Sequence, residues 1–206
     1  MWLLALTILN ANSFLVDKTV LESMQKTYGQ NAKVRFENLV SLLNQLSTQN
    51  KPTQLESIND FFNDLNFESD MVVWKQEDYW ASRDEFIGMN RGDCEDYSIA
   101  KYFSLQQLGF SDSEIYITYV KAIKYRQSHM VLSYFKTPSA MPLILDNINK
   151  EVLPASKRDD LVPIFSFNGK EIYMAKQRSL GKIIPQGKIN LTQWTDLILK
   201  IKKSKQ

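Results

Sequence analysis

The sequence has only one cysteine, Cys94, and only one histidine, His129, among its 206 residues. A single cysteine excludes an intrachain disulfide framework, and the chain has neither the C-x-x-C nor the paired-histidine spacing of common zinc sites. It also has no glycine-rich phosphate loop and no internal repeat. These absences direct attention to Cys94 and His129 as candidate chemical groups.

Positive and negative charges nearly cancel, with 25 lysines and arginines against 23 aspartates and glutamates. A net charge of +2 is too small to predict binding to nucleic acid. The basic cluster at residues 200–205 is interpreted as the solvated end of a terminal helix. The length and the ordinary apolar fraction predict a single domain over residues 14–206.

Residues 1–13 are predicted to be the remnant of an export signal. The apolar run Trp2–Leu9 is too short to span a bilayer, and Ala11-Asn12-Ser13 has the small-x-small pattern that a signal peptidase cleaves. The run lacks the basic segment of a complete signal. An apolar first strand or helix is therefore the alternative.

Cys94 lies in the run Asn90–Tyr97, where the pattern predicts the start of a helix. Asp93 is predicted as the N-cap, Asp96 takes the position of a capping-box acid, and Gly109 is expected to end the helix. Cys94 then falls on the first turn. Backbone N–H groups and the helix dipole favour the thiolate there, which is the nucleophilic form.

Three acids, Asp93, Glu95 and Asp96, flank the thiol and should raise its pKa. A hard divalent cation would offset them, and clustered carboxylates are ligands that Ca²⁺ prefers. Alternatively, the acids only cap the helix, and the residues alone leave both interpretations open. For a calcium site we expect Glu95 and Asp96 to point away from the cleft as ligands, with Asp93 and a carboxylate such as Asp78 or Asp112 completing the shell.

Hydrophobic periodicity changes at Gly109, from helical before it to alternating after it. Helices are predicted over residues 20–28, 34–46, 55–65, 82–86 and 194–201, with residues 66–70 as a loop. Strands are predicted over 114–123, 129–135 and 142–146, with a hairpin that turns at Asn168-Gly169. Between the helices, Trp74 and Trp80 are candidates to wall a substrate cleft, although packing is the more frequent use of such aromatics.

His129 opens one predicted strand, and Asp146 ends the next. Neighbouring antiparallel strands can place a histidine beside a carboxylate, which fixes the tautomer and orientation of the imidazole. Together with the helix-borne Cys94 they form a candidate Cys-His-Asp triad. The histidine would act as base toward the thiol and as acid toward the leaving amine.

These residues resemble the bacterial transglutaminase-like cysteine proteases, and within them the LapG-type periplasmic proteases. The resemblance covers most of the chain from about Phe61 onward, and the Asp-Cys-Glu-Asp-Tyr run is its most specific part. This sequence differs from the family at Asn90-Arg91, where the family tends to glycine, and at Ser82-Arg83, where the family tends to Thr-Pro. The matching segments are residues 78–81, 85–86, 92–97, 99–103, 119–122, 129–132 and 145–147.

The resemblance implies an α+β fold of the papain-like or transglutaminase-like type, in which helices carry the nucleophile and pack against an antiparallel sheet that carries His129 and Asp146. It implies a periplasmic endopeptidase that cleaves a large surface adhesin near its N-terminus and so controls biofilm attachment. It further implies Ca²⁺ bound by the acids around Cys94, and inhibition by the periplasmic domain of an inner-membrane cyclic-di-GMP receptor.

Two other function classes remain open from the residues. A transglutaminase or amidase would use the same triad, with an amine or water accepting the acyl group. A non-catalytic binding module would require the lone cysteine, the lone histidine and Asp146 to coincide by chance.

Overall fold

The computed structural model describes residues 14, 18–176, 179–185, 188–189 and 191–203, so the predicted signal remnant 1–13 lies outside the described residues. Its helices are named in chain order. They are α1 Lys18–Tyr28, α2 Gln30–Leu46, α3 Lys51–Asn63, α4 Asp70–Val73, α5 Arg83–Met89, α6 Cys94–Gln107 and α7 Thr192–Lys203. None of these helices is long and apolar enough to cross a membrane.

The strands after α6 form one antiparallel sheet in the order β6-β5-β4-β3-β7-β8-β9. They are β3 Ile115–Ala122, β4 Gln127–Tyr134, β5 Leu143–Leu145, β6 Leu153–Pro154, β7 Leu161–Phe167, β8 Ile172–Lys176 and β9 Ser179–Ile183. A separate parallel bridge joins β1 Asn66–Phe67 to β2 Arg91–Gly92. It ties the segment after α3 to the segment before Cys94.

The main core lies between the helices and one face of the sheet. Helix α6 packs against α3, α5, β3 and β4, and its Ile99, Ala100 and Leu105 are fully buried. A smaller hydrophobic cluster includes Val120 and Val131. Side chains alternate between the two faces along a strand, so this cluster lies on the face of the sheet opposite the main core. The α+β class predicted from the sequence, with helices packed against an antiparallel sheet, is confirmed.

Local signals explain where the helices around the cysteine begin and end. Ser82 and Glu85 form a capping box at the start of α5, since each side chain accepts from the backbone N–H of the other. Gly109 has a φ of +93° just beyond α6. The N–H of Phe110 reaches back to the carbonyl of Leu105 and completes a Schellman motif.

Several sequence predictions need correction. Residues 66–70 are not simply a loop, because they supply β1 and begin α4. The predicted hairpin exists, but four residues, 168–171, connect its strands, because the Asn168 side chain accepts the N–H groups of Lys170 and Glu171. Strands β6 and β9 are too short or too polar to stand out in the sequence. Helix α7 begins at Thr192, two residues before the predicted start at residue 194.

Candidate active site

Cys94 is the first residue of α6, as predicted. Because α6 packs on β4, the cysteine lies against the strand that carries His129. The backbone N–H of Met130, the residue that follows the histidine, faces the Cys94 sulfur. The fold therefore brings the helix start and the start of β4 together.

His129 and Asp146 are in direct contact. The ring Nε2 of His129 lies 2.8 Å from Asp146 Oδ1, and both side chains are buried. The contact forms because β4 and β5 are neighbouring antiparallel strands, in which Leu132 pairs with Leu145. Since Nε2 is bound to the acid, Nδ1 is the ring nitrogen that remains to act on a thiol.

Asp146 is held at both carboxylate oxygens. Oδ1 also accepts the N–H of Ile148 at 3.0 Å, and Oδ2 accepts from Arg158 Nη2 at 2.6 Å. Burial alone would raise the pKa of Asp146, but the hydrogen bond and charge of His129, with help from Arg158, hold that pKa well below its usual range. Asp146 is therefore an anion around neutral pH.

A buried polar network supports the acid from the helical side. Asn63 at the end of α3 donates to the backbone oxygen of Asp146 at 2.8 Å. The amide oxygens of Asn63 and Asn59 both accept from Lys101 Nζ, at 2.8 and 2.9 Å. Burial lowers the pKa of Lys101 to about 7, although the charge of Asp146 opposes that shift.

Glu95 does not point away from the cleft, so that expectation is wrong. Its Oε2 lies 3.0 Å from Cys94 Sγ. Burial and the neighbouring Glu95 raise the pKa of the Cys94 thiol well above its usual range. Without a cation, burial and the flanking acids therefore outweigh the helix dipole, and the neutral thiol is favoured over the thiolate.

The predicted acids belong to a larger cluster around the first turn of α6. Ligand oxygens of Asp70, Asp93 and Asp96 lie within 4.8 Å of one another, as do those of Asp70, Asp78 and Glu95. None of these five carboxylates forms an ion pair with a described lysine or arginine. Such a cluster of hard oxygen donors is suited to a divalent cation.

Three buried oxygens of the cluster lack hydrogen-bond partners, which also fits a cation site. Asp70 Oδ1, Asp93 Oδ1 and Asp96 Oδ2 are buried and accept no hydrogen bond. Burial raises the pKa of Asp70 to about 6 and that of Asp93 to about 8, the latter with a contribution from Glu95. Gly92 makes room for the arrangement, since a Cβ there would lie 2.2 Å from Asp96 Oδ2.

Asp93 occupies the N-cap position of α6 but makes no capping hydrogen bond with its side chain. Its carboxylate belongs to the acid cluster instead, and Asp96 accepts the N–H of Ala81 at 2.8 Å. The interpretation of these acids as simple helix caps therefore does not describe Asp93.

Two other candidates lie elsewhere. Asp112 is not in the acid groups found among the described residues, because it accepts from Tyr102 and Gln106 at the far end of α6. Trp80 is buried in the core, where it packs on Phe167 and Trp194. It therefore does not wall a cleft, and the packing interpretation holds for it.

Sequence reasoning missed Asp70 and Arg158. Asp70 is 23 residues before Asp93 in the chain and joins it only because β1 pairs with β2. Arg158 comes from the segment after β6, and no motif around it marks a contact with Asp146.

The fold and this group of side chains define a cysteine peptidase with a transglutaminase-like fold. The family profile described as bacterial transglutaminase-like cysteine proteinase matches residues 29–160. The chain belongs to that family. A search of curated proteins finds no match.

Solved structures of one relative extend the comparison over nearly the whole chain. LapG of Legionella pneumophila is 36% identical, with a TM-score of 0.76 over 91% of this chain and 98% of that one. Its calcium-bound form is 37% identical, with a TM-score of 0.74 over 88% and 98% of the two chains. An EGTA-treated form of the same protein is 35% identical, with a TM-score of 0.76 over 91% and 98%.

Proposed function

We propose that this protein is a calcium-dependent cysteine endopeptidase that uses Cys94, His129 and Asp146 as its catalytic triad. The observation that carries the assignment is the buried His129–Asp146 pair at 2.8 Å, on the strand against which the Cys94 helix packs. In a member of a cysteine proteinase family, these are the side chains best placed for nucleophilic catalysis.

His129 Nδ1 takes the proton of the Cys94 thiol as the sulfur attacks the carbonyl carbon of the scissile peptide. The C–S bond forms as the carbonyl π bond opens, and we propose the Cys94 backbone N–H as a donor to the oxyanion that results. Collapse breaks the C–N bond, and the His129 imidazolium protonates the leaving amine. Water then hydrolyses the thioester with His129 as base, which releases the carboxylic acid and regenerates the thiol.

Asp146 holds the histidine ring through Nε2 and stabilises the imidazolium, without taking its proton. Its low pKa suits that role, since the carboxylate stays charged while the ring is protonated.

Ca²⁺ would be held by Asp93, Glu95 and Asp96, together with Asp70 and Asp78. Support comes from the unpartnered oxygens of three of these acids and from the calcium-bound form of the Legionella relative. The ion would supply a fixed double positive charge beside the thiol. With it, Glu95 would be a ligand and would no longer act on Cys94 as an uncompensated anion.

The substrate we propose is the N-terminal region of a large surface adhesin, whose cleavage releases cells from a biofilm. We also propose a periplasmic location and inhibition by the periplasmic domain of a cyclic-di-GMP receptor. These three points are supported by the resemblance to LapG-type proteases over most of the chain.

The test is incubation with the N-terminal segment of an adhesin encoded beside this protein, with product masses recorded. Cys94→Ala and His129→Ala should remove cleavage while urea unfolding stays cooperative, and Asp146→Asn should slow cleavage by roughly 10⁴-fold.

The calcium requirement is tested in the same assay. EGTA should abolish activity, and Ca²⁺ should restore it better than Mg²⁺. Wild-type rates in Cys94→Ala or His129→Ala would contradict the triad, and amine-adduct masses in the presence of added amines would indicate a transferase.

A further inference from the structure

Arg158 is one of the largest side chains that the fold buries completely, with 2% of its surface exposed. It follows the short strand β6 and a single 3₁₀ turn, Ala155–Lys157. Burying a guanidinium carries a large desolvation cost unless carboxylates surround it. The position of this charge therefore needs an explanation beyond packing.

The contacts of Arg158 are directed at two carboxylates. Nε and Nη2 donate to the two oxygens of Asp160, at 2.9 and 2.8 Å. Nη2 also donates to Asp146 Oδ2 at 2.6 Å. Asp160 thus orients the planar guanidinium with a fork of two bonds, which lysine could not reproduce. The nitrogen so oriented reaches the one Asp146 oxygen that does not contact His129.

Without Arg158, Asp146 would be fixed at one oxygen only, by His129 and the N–H of Ile148. The carboxylate could then rotate, and the imidazole would follow it. The other charged groups near Asp146, Lys101 and Lys150, bond to asparagine oxygens and not to the carboxylate. Among the described side chains, Arg158 alone restrains the second oxygen.

We propose that Arg158 is a positioning residue of this peptidase: held by Asp160, it locks the Asp146 carboxylate in the orientation that aims His129 at the thiol. The proposal rests on the Cys94–His129–Asp146 assignment made above. It adds two side chains, Arg158 and Asp160, to the catalytic arrangement.

A double-mutant cycle tests whether Arg158 acts through Asp146. Arg158→Met should lower kcat on the adhesin segment by roughly 10²-fold with little change in KM, because misplacement by about 1 Å costs that much. In the Asp146→Asn background the same change should have no further effect on kcat, since the group it positions is already lost. Arg158→Lys should lie between wild type and Arg158→Met, because it keeps the charge without the fork.

A spectroscopic readout separates positioning from stability. His129 is the sole histidine, so its ring ¹⁵N signals are unambiguous. The wild type should show the Nε2–H tautomer, and Arg158→Met should shift the population toward a mixture. Arg83→Met is the matched control: it removes an arginine that contacts Asp84 and Gln107, and it should change neither kcat nor the ring signals.

The results distinguish failure of this proposal from failure of the triad. If Cys94→Ala and His129→Ala are inactive but Arg158→Met loses the same factor in both backgrounds, or leaves the ring signals unchanged, Arg158 has no positioning role. If Arg158→Met does not fold, Asp160→Asn replaces it in the cycle, because it frees the guanidinium while leaving the triad intact. A kcat loss for Asp160→Asn that vanishes in the Asp146→Asn background supports the proposal, and equal losses overturn it.

Discussion

Single buried charges in this protein fall into two groups according to their partners. Asp146 has a histidine and an arginine beside it and keeps a low pKa, whereas Asp70, Asp93 and Asp96 have none and their pKa values rise. Lys101 is the cationic counterpart of the second group, because only neutral amide oxygens accept its hydrogen bonds. In the second group, burial without an opposite charge in contact is the largest cause of each pKa shift.

Lys101 should make the stability of the fold depend on pH. Its pKa is about 7 in the folded protein against 10.5 normally, so between these values the unfolded chain binds more protons. The free energy of unfolding should therefore rise with pH across that window, by at most about 1.4 kcal/mol per pH unit. Lys101→Met removes this contribution, because methionine does not titrate.

Urea unfolding of the wild type and of Lys101→Met, each at about pH 6 and about pH 9, measures the effect. The quantity compared is the difference in free energy of unfolding between the two proteins at each pH. Stability of the wild type relative to Lys101→Met should increase at the higher pH. A constant difference would mean that the lysine is protonated in the fold throughout.

Helix termini shape the loop before the nucleophile. Helix α5 ends at Asn90, which adopts the left-handed conformation with a φ of 57° and a ψ of 21°. Asparagine tolerates this region better than most residues, and glycine adopts it without strain. Because this conformation accepts both asparagine and glycine, it accommodates the departure at Asn90 from the glycine to which the resembling proteases tend.

Substitutions of Asn90 should follow the backbone requirement. Asn90→Gly should be neutral or slightly stabilising, whereas Asn90→Val should cost about 1–2 kcal/mol, because a β-branched residue is strained at positive φ. Chemical denaturation measures both. The backbone carbonyl that accepts from Asn66 is kept in each variant, so a large loss in Asn90→Gly would mean that the side chain has a role of its own.

How far the sequence could predict these elements depended on whether their causes are local. Helix α6, its end at Gly109 and the Ser82 capping box follow from neighbouring residues. The meeting of His129 and Asp146 required only that consecutive strands pair. Asp70 and Arg158 reach their partners through chain reversals that leave no periodic signal, and the direction of Glu95 depends on side-chain packing within one helical turn.

For the molecule as a whole, the proposed cation site would couple binding of the ion to folding. Its members come from α4, from the segment before α5 and from the start of α6, so the site exists only when these parts are assembled. An ion that binds the folded state alone adds RT ln(1 + [L]/Kd) to its stability.

Calcium at about one hundred times its dissociation constant should raise the free energy of unfolding by about 2.7 kcal/mol relative to EGTA. Asp70→Asn should reduce this gain, because Asp70 has an unpartnered buried oxygen in the cluster. Glu68→Gln, a change at a half-buried carboxylate two residues away and outside the acid cluster, is the control and should leave the gain intact. Unfolding curves that coincide with and without calcium would refute a cation site here.

The position of α3 has one more consequence. Just beyond its C-terminal end, the backbone carbonyl of Leu65 accepts a hydrogen bond from the hydroxyl of Tyr97 on the nucleophile helix. Asn63, the last residue of α3, donates to the backbone oxygen of Asp146. The short stretch from Asn63 to Leu65 therefore contacts both the nucleophile helix and the acid, and helps to set the distance between them. Inserting a single residue between Asn63 and Leu65 would displace one contact relative to the other by up to about 3.8 Å, the distance between consecutive Cα atoms. Sequences that diverge freely elsewhere should therefore keep the length of this stretch unchanged.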